Sequence, residues 1–177
     1  NAADFTFFLA GSFSVDSIAP LLAHYLGSLP SAGKRTSAYL PRGPRFPNAV
    51  KTTQVRKGVE PKSSTRITFF THAGLEELDL HRARACATIL GDHLRETLRE
   101  LLGGTYGASA SVSYLVPLPG YTTATIAFGC APENVDKMVT AALDEVKKLR
   151  ERGPSAADVQ KDQEVERREL EVAMKQN

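Results

Sequence analysis

Tryptophan is absent from this sequence of 177 residues, and cysteine and methionine occur twice each. Two cysteines, Cys86 and Cys130, cannot make a disulfide scaffold or a four-cysteine zinc site, so a packed core must hold the fold. The bland reading of both is a buried free thiol. Long apolar runs are also missing. None approaches the ~20 residues of a membrane-spanning helix, which excludes a helical membrane span. Phe5-Thr6-Phe7-Phe8-Leu9-Ala10 is too short, and lacks the basic flank, to be a signal peptide. What is present is ordinary: 42% hydrophobic and 24% charged residues exclude a disordered chain. The length suits one domain with a real core.

Catalytic signatures are scarce as well. The histidines are His24, His72, His81 and His93, and no two stand four apart. Neither His-Glu-x-x-His nor its inverse, His-x-x-Glu-His, can be written. His93-Leu94-Arg95-Glu96-Thr97 comes nearest, with Thr where a second ligand would stand, and reads as a solvated helix face. Leu102-Gly103-Gly104-Thr105-Tyr106-Gly107 is glycine-rich but runs from helix to strand with no lysine after it. It is not a phosphate-cradling loop. No Gly-x-Ser-x-Gly elbow exists.

The net charge of +2 conceals an uneven distribution. Residues 33–66 carry nine Lys/Arg against Glu60 alone, a local charge of +8, which leaves 13 basic and 19 acidic residues, or −6, elsewhere. A local cation on an acidic body suggests a surface that faces a partner. Tyr39 and Phe46 interleave the cations, yet prolines and glycines make 33–49 an irregular loop, and no nucleic-acid role is assigned.

Local patterns predict the elements. Phe5–Ala10 is apolar on both faces and reads as a doubly covered strand. Ile18, Leu21, Leu22, Tyr25, Leu26 and Leu29 mark a helix, with Pro20 tolerable only in its first turn. Val50–Lys57 and Thr65–His72 read as strands. In the second, Thr65, Ile67 and Phe69 face one way and Arg66, Thr68 and Phe70 the other. Asp79–Leu102 is a long helix whose apolar face carries Ala83, Cys86, Ala87, Leu90, Leu94, Leu98 and Leu101. Gly103-Gly104 ends it. Tyr106–Val116 and Tyr121–Ala131 read as a hairpin, with Ala124, Ile126, Phe128 and Cys130 on one face. Glu133–Arg152 is an amphipathic helix, and Ser155-Ala156-Ala157-Asp158 starts the last one with a capping box. The sum is an α+β fold, a mainly antiparallel sheet with helices packed on one face, forming a single domain over 1–177. The chain does not start with Met and ends within a helical pattern. It therefore reads as an excised fragment of a larger protein, with residues 1–3 a candidate tag scar.

Several stretches, taken in order, resemble the C-terminal, non-zinc-binding domain of the insulinase/pitrilysin family of zinc metallopeptidases. Phe7-Phe8-Leu9-Ala10-Gly11-Ser12-Phe13, then Tyr25-Leu26-Gly27-Ser28-Leu29-Pro30, resemble its entry strand and first helix. Leu98-Arg99-Glu100-Leu101-Leu102-Gly103-Gly104-Thr105-Tyr106 resembles its Arg-to-Tyr segment. Ala131-Pro132-Glu133-Asn134-Val135, Gly153-Pro154-Ser155-Ala156-Ala157-Asp158 and Arg168-Glu169-Leu170-Glu171 resemble its last two helices. The resemblance runs over nearly all of residues 4–177 and is greatest to the long bacterial members.

The resemblance implies a domain of the insulinase/mitochondrial-processing-peptidase-like metallohydrolase type, one of several in a clam-shell peptidase. The family's first domain carries His-x-x-Glu-His and zinc. This chain lacks that motif, so it is expected to be an inactive later domain that binds substrate and closes the chamber over a peptide. Zinc then belongs to the parent's catalytic domain, and this fragment holds no metal. Its expected partners are the catalytic N-terminal half, in cis or as a separate subunit, and a peptide substrate, with neither nucleic acid nor a membrane span. The periplasm or cell envelope is the expected compartment, with the cytoplasm as the alternative. The alternative function is a structural or assembly domain of a catalytically inactive homologue.

Arg99 and Tyr106 match the family's substrate-contacting pair, seven residues apart. In the resembling enzymes the Tyr hydroxyl helps bind the scissile carbonyl oxygen. A Tyr with its ordinary pKa of ~10 is a neutral donor at pH 7, and a guanidinium offers a rigid fork to backbone carbonyls. The bland readings are that Arg99 complements a helix C-terminus and pairs with Glu96, and that Tyr106 packs at a strand end.

Overall fold

β-Branched and aromatic residues are dense along Thr122–Cys130, and that segment, β3, becomes the centre of the sheet. β1 (Ser63–Thr71) and β2 (Ala108–Tyr114) flank it, both antiparallel, in the order β1-β3-β2. Register places Ile67 and Ala110 on either side of Ile126, and Thr65 and Ala108 on either side of Phe128. Because side chains alternate across a strand, these residues share one face. The opposite face carries rows such as Arg66, Ala127 and Ser109, then Thr68, Thr125 and Ser111. The computed structural model describes residues 1–35, 46–71, 76–102, 107–114 and 121–176, with backbone only at Leu101 and Leu102.

The helices are α1 (Val15–Tyr25), α2 (Glu77–Leu102), α3 (Val135–Arg152) and α4 (Ala156–Ala173). α2 and α3 cover the apolar sheet face. Leu94 and Leu98 from α2, Met138 and Ala142 from α3, and Ile126, Phe128 and Cys130 from β3 form the core. Each fully buried Leu contributes roughly 1.5–3 kcal/mol by transfer alone. Gly91 lets α2 approach β2 closely. A Cβ there would stand 3.3 Å from the amide nitrogen of Ala110. α4 packs on α2 and buries no residue of its own. The α+β class, the antiparallel sheet and the one-sided helix layer are as the sequence predicts.

The chain divides into two units, Asn1–Arg45 and Phe46–Asn177. The first contains α1 and a tie at the N-terminus. The Asn1 side-chain oxygen accepts from the Ala32 amide at 2.9 Å, and its nitrogen donates to the Lys34 carbonyl at 2.9 Å. The second contains the sheet and the other three helices.

Several local expectations need correction. Phe5–Ala10 is not a strand, and Phe8 is 91% exposed. Val50–Lys57 is likewise not a strand. Apolar alternation marks strand propensity, but a strand exists only where a neighbour completes its hydrogen bonds, and neither segment has one among the described residues. α1 begins at Val15, three residues before the periodic run, which puts Pro20 in its second turn. Cys86 is exposed, while Cys130 is buried as expected. The buried face of α2 runs through Ala87, Gly91, Leu94 and Leu98, and Cys86 stands one residue, about 100°, off that line. The Pro117–Gly120 connection, and residues 36–45 of the irregular loop, lie outside the described residues.

Candidate functional site

α2 is a continuous helix that ends at Leu102, so Arg99 falls in its last turn. Its side chain is exposed, and among the described residues no carboxylate lies within ion-pair distance, Glu96 included. Tyr106, Gly103 and Gly104 lie outside the described residues. Gly107, just before β2, has φ +118°, a conformation that side-chain-bearing residues rarely adopt, so the chain must turn there on glycine.

A second cluster lies where α2 meets the start of α4. Ser155 caps α4: its hydroxyl accepts from the Asp158 amide at 3.1 Å, and its own amide donates to Asp158 Oδ2 at 3.0 Å. The Ser155 hydroxyl also lies 2.7 Å from that oxygen. His93 Nε2 reaches Asp158 Oδ1 at 3.2 Å from α2. The Ser155 hydroxyl and amide, and after them His93, hold the Asp158 carboxyl down at about 2. Next to it, Asp92 receives Lys161 Nζ at 2.7 Å and pairs with Arg95. The sequence indicated the capping box. It did not indicate that His93 leaves the solvated face to join it, because nothing in local spacing says which helix α4 will lie on.

Serine, aspartate and histidine together invite comparison with a nucleophilic triad. In such a triad the histidine stands between acid and serine and takes the serine proton. Here Asp158 stands between, so the serine has no base, and the arrangement is a tethered helix cap.

Among the described residues no group of three or more His, Cys, Asp or Glu side chains could hold a metal ion. His93 turns to Asp158, and Glu96 is a separate exposed group. Burial, and then Glu133, raise the Cys130 thiol, which makes it a poor nucleophile or ligand. Glu145 on α3 is the buried acid the sequence did not reveal. It is 7% exposed and receives Lys148 Nζ at 2.7 Å. The basic segment is exposed at every residue from 50 to 62. Within it Lys62 Nζ pairs with Glu60 Oε2 at 2.6 Å. Among the described residues no helix is long and apolar enough to cross a membrane.

Comparison with known proteins agrees with this architecture. The chain is 28% identical over 189 aligned residues to the zinc protease PQQL-like protein of Arabidopsis thaliana, covering 98% of this chain and 20% of that protein. It is 26% identical over 180 residues to the probable zinc protease PqqL of Escherichia coli (strain K12), covering 97% and 18%. Among solved structures it resembles the periplasmic protease PqqL from Escherichia coli, with TM-score 0.62, 22% identity and coverage of 92% and 18%. It also resembles the ferredoxin protease FusC, solved as a mutant with Arabidopsis ferredoxin, with TM-score 0.62, 16% identity and coverage of 92% and 17%. The chain thus spans about a fifth of the length of these relatives. The profile described as the peptidase M16 inactive domain matches residues 1–165, and the chain belongs to that family of non-catalytic peptidase domains.

Proposed function

We propose that this chain is the substrate-binding, chamber-closing domain of a zinc-dependent metalloendopeptidase that degrades peptides. Arg99 and Tyr106 are its substrate contacts. The observation that carries the reading is Arg99, an exposed guanidinium without an ion-pair partner among the described residues, in the last turn of α2 of an M16 inactive domain. A guanidinium left free of carboxylates keeps its donor fork for backbone carbonyls. Tyr106, seven residues on, supplies a neutral hydroxyl donor to the scissile carbonyl oxygen. The catalytic half lies elsewhere in the same protein or in a partner subunit, and its zinc is held there. The relatives' description as zinc proteases supports this division of labour. That one relative is described as periplasmic favours the cell envelope as the compartment.

The test is Tyr106→Phe in the whole peptidase. Loss of roughly 100-fold in kcat with intact folding supports the reading, and an unchanged kcat removes it. The alternative, a structural domain of an inactive homologue, predicts no peptide hydrolysis by the full protein with either residue at this position.

A further inference from the structure

α4 is an 18-residue helix that lies along α2 and buries none of its own residues. Val159, Val165, Leu170 and Val172 all remain substantially exposed. Ile89 of α2 is buried, and Val165 lines the same groove, so the apolar share of the contact is small. What fastens α4, among the described residues, is polar. His93 Nε2 meets Asp158 Oδ1 at 3.2 Å near the start of α4, and Lys161 Nζ meets Asp92 Oδ2 at 2.7 Å one turn on. Further along, His81 Nδ1 meets Glu166 Oε1 at 3.4 Å. The helices run antiparallel, so the two histidines grip α4 more than two turns apart.

We propose that α4 is a pH-sensitive strap, clamped onto α2 when His81 and His93 are protonated and loosened when they are neutral. Histidine is the side chain whose charge ordinarily changes between about pH 5 and 8. A histidinium beside a carboxylate forms an ion pair. The neutral ring keeps at most the hydrogen bond. Docking is therefore favoured by protonation and weakens as pH rises.

The surrounding charges support the direction. Around His93, α4 presents Asp158, Asp162 and Lys161, and α2 adds Asp92, Arg95 and Glu96. Lys161 and Arg95 are both committed to Asp92. Around His81 the charged neighbours one turn away are Glu77 and Arg84 on α2, and Asp162 and Glu169 beside Glu166 on α4. β2, packed on α2, carries no charged residue. α3, also packed on α2, brings Lys137, Asp144, Glu145 and Lys148 alongside Thr97, one turn beyond His93, and carboxylates still outnumber cations at both grips. Asp158 is held at about 2, so it stays ionised across the whole window.

The experiment is amide hydrogen exchange, corrected for intrinsic rates, at about pH 5.5 and about pH 8. α3 serves as the internal reference. Half-exposed ion pairs are each worth a factor of about 1.5–5, so α4 opening should rise roughly five-fold relative to α3 at the higher pH. His81→Gln with His93→Gln should abolish that dependence, and each single variant should remove about half of it. Lys161→Met should raise opening at both pH values while keeping the slope. Equal α4 protection at both pH values in the native protein would overturn the proposal. So would a slope that survives in the paired variant, or one that stays undiminished in both single variants.

Discussion

The amide nitrogen of Ala110 on β2 sits 3.3 Å from the point where a Cβ on Gly91 of α2 would lie. That spacing is tighter than ordinary van der Waals contact, and the atom facing it is backbone in a paired strand. Gly91→Ala would gain about 0.5–1 kcal/mol of helix propensity. Forcing helix and strand apart costs about 1–3 kcal/mol in a packed interior. The expected outcome is net destabilisation of roughly 1 kcal/mol, read as a lower denaturant midpoint at unchanged slope, with a larger loss for Gly91→Leu. A stabilised Gly91→Ala would show that α2 can lift off β2 at little cost.

Leu98 is fully buried between the sheet and α3, beside Leu94 and Met138. Leu98→Ala should cost about 2–5 kcal/mol through lost transfer energy and the cavity left behind. Thermal unfolding is the measurement. The same change at Leu170, exposed on α4, should cost less than about 0.5 kcal/mol.

The Ser155 cap makes a pH prediction with a definite sign. A carboxyl lowered from an ordinary ~4 contributes stability that is present above the ordinary value. That contribution fades as pH falls from there through the folded value, about 2 for Asp158. A carboxyl-detected NMR titration of Asp158 should show its midpoint near 2. Ser155→Ala removes the leading cause, so the midpoint should rise towards the ordinary carboxylate range and α4 should lose roughly 1 kcal/mol. A native midpoint near 4 would mean that the cap does not form.

Arg99 and Tyr106 should separate kinetically in the whole peptidase. Tyr106→Phe removes one hydroxyl and almost no volume, so kcat and kcat/KM should fall together, by roughly 100-fold for ~3 kcal/mol. Arg99→Ala should raise KM at least as much as it lowers kcat, because the proposed contact would hold peptide in ground and transition states alike.

Zinc titration calorimetry on this chain should show no stoichiometric tight binding. One tight zinc per chain would require ligands beyond the described residues and would reopen the pairing of His93 with Glu96 as a partial site.

Much of this protein is legible locally. The 3.6-residue spacing of Leu90, Leu94 and Leu98 specifies a helix and its inner face. Alternation in Thr122–Cys130 specifies a strand and its inner face, because each period follows from backbone geometry alone. Ser155 and Asp158 announce a helix start three residues apart, and the cap forms as written. The absence of His-x-x-Glu-His likewise needs no structure to be seen, and the family follows from the order of its short motifs.

Other features depend on which surfaces meet. Phe5–Ala10 has the composition of a buried strand but no ladder partner, since hydrogen bonds between strands are made with a neighbour that local sequence does not name. Cys86 lies beside the buried face of α2 and Ala87 on it, a distinction of one residue that only the position of the sheet resolves. His93 reads as a solvated helix residue and becomes the grip on Asp158, and Glu145, which no local pattern singles out, is buried. Periodicity tells a side chain which way to point along its own helix or strand. What it then meets is decided by the crossing of elements far apart in the chain, and it is there that pairs such as His93 with Asp158 arise.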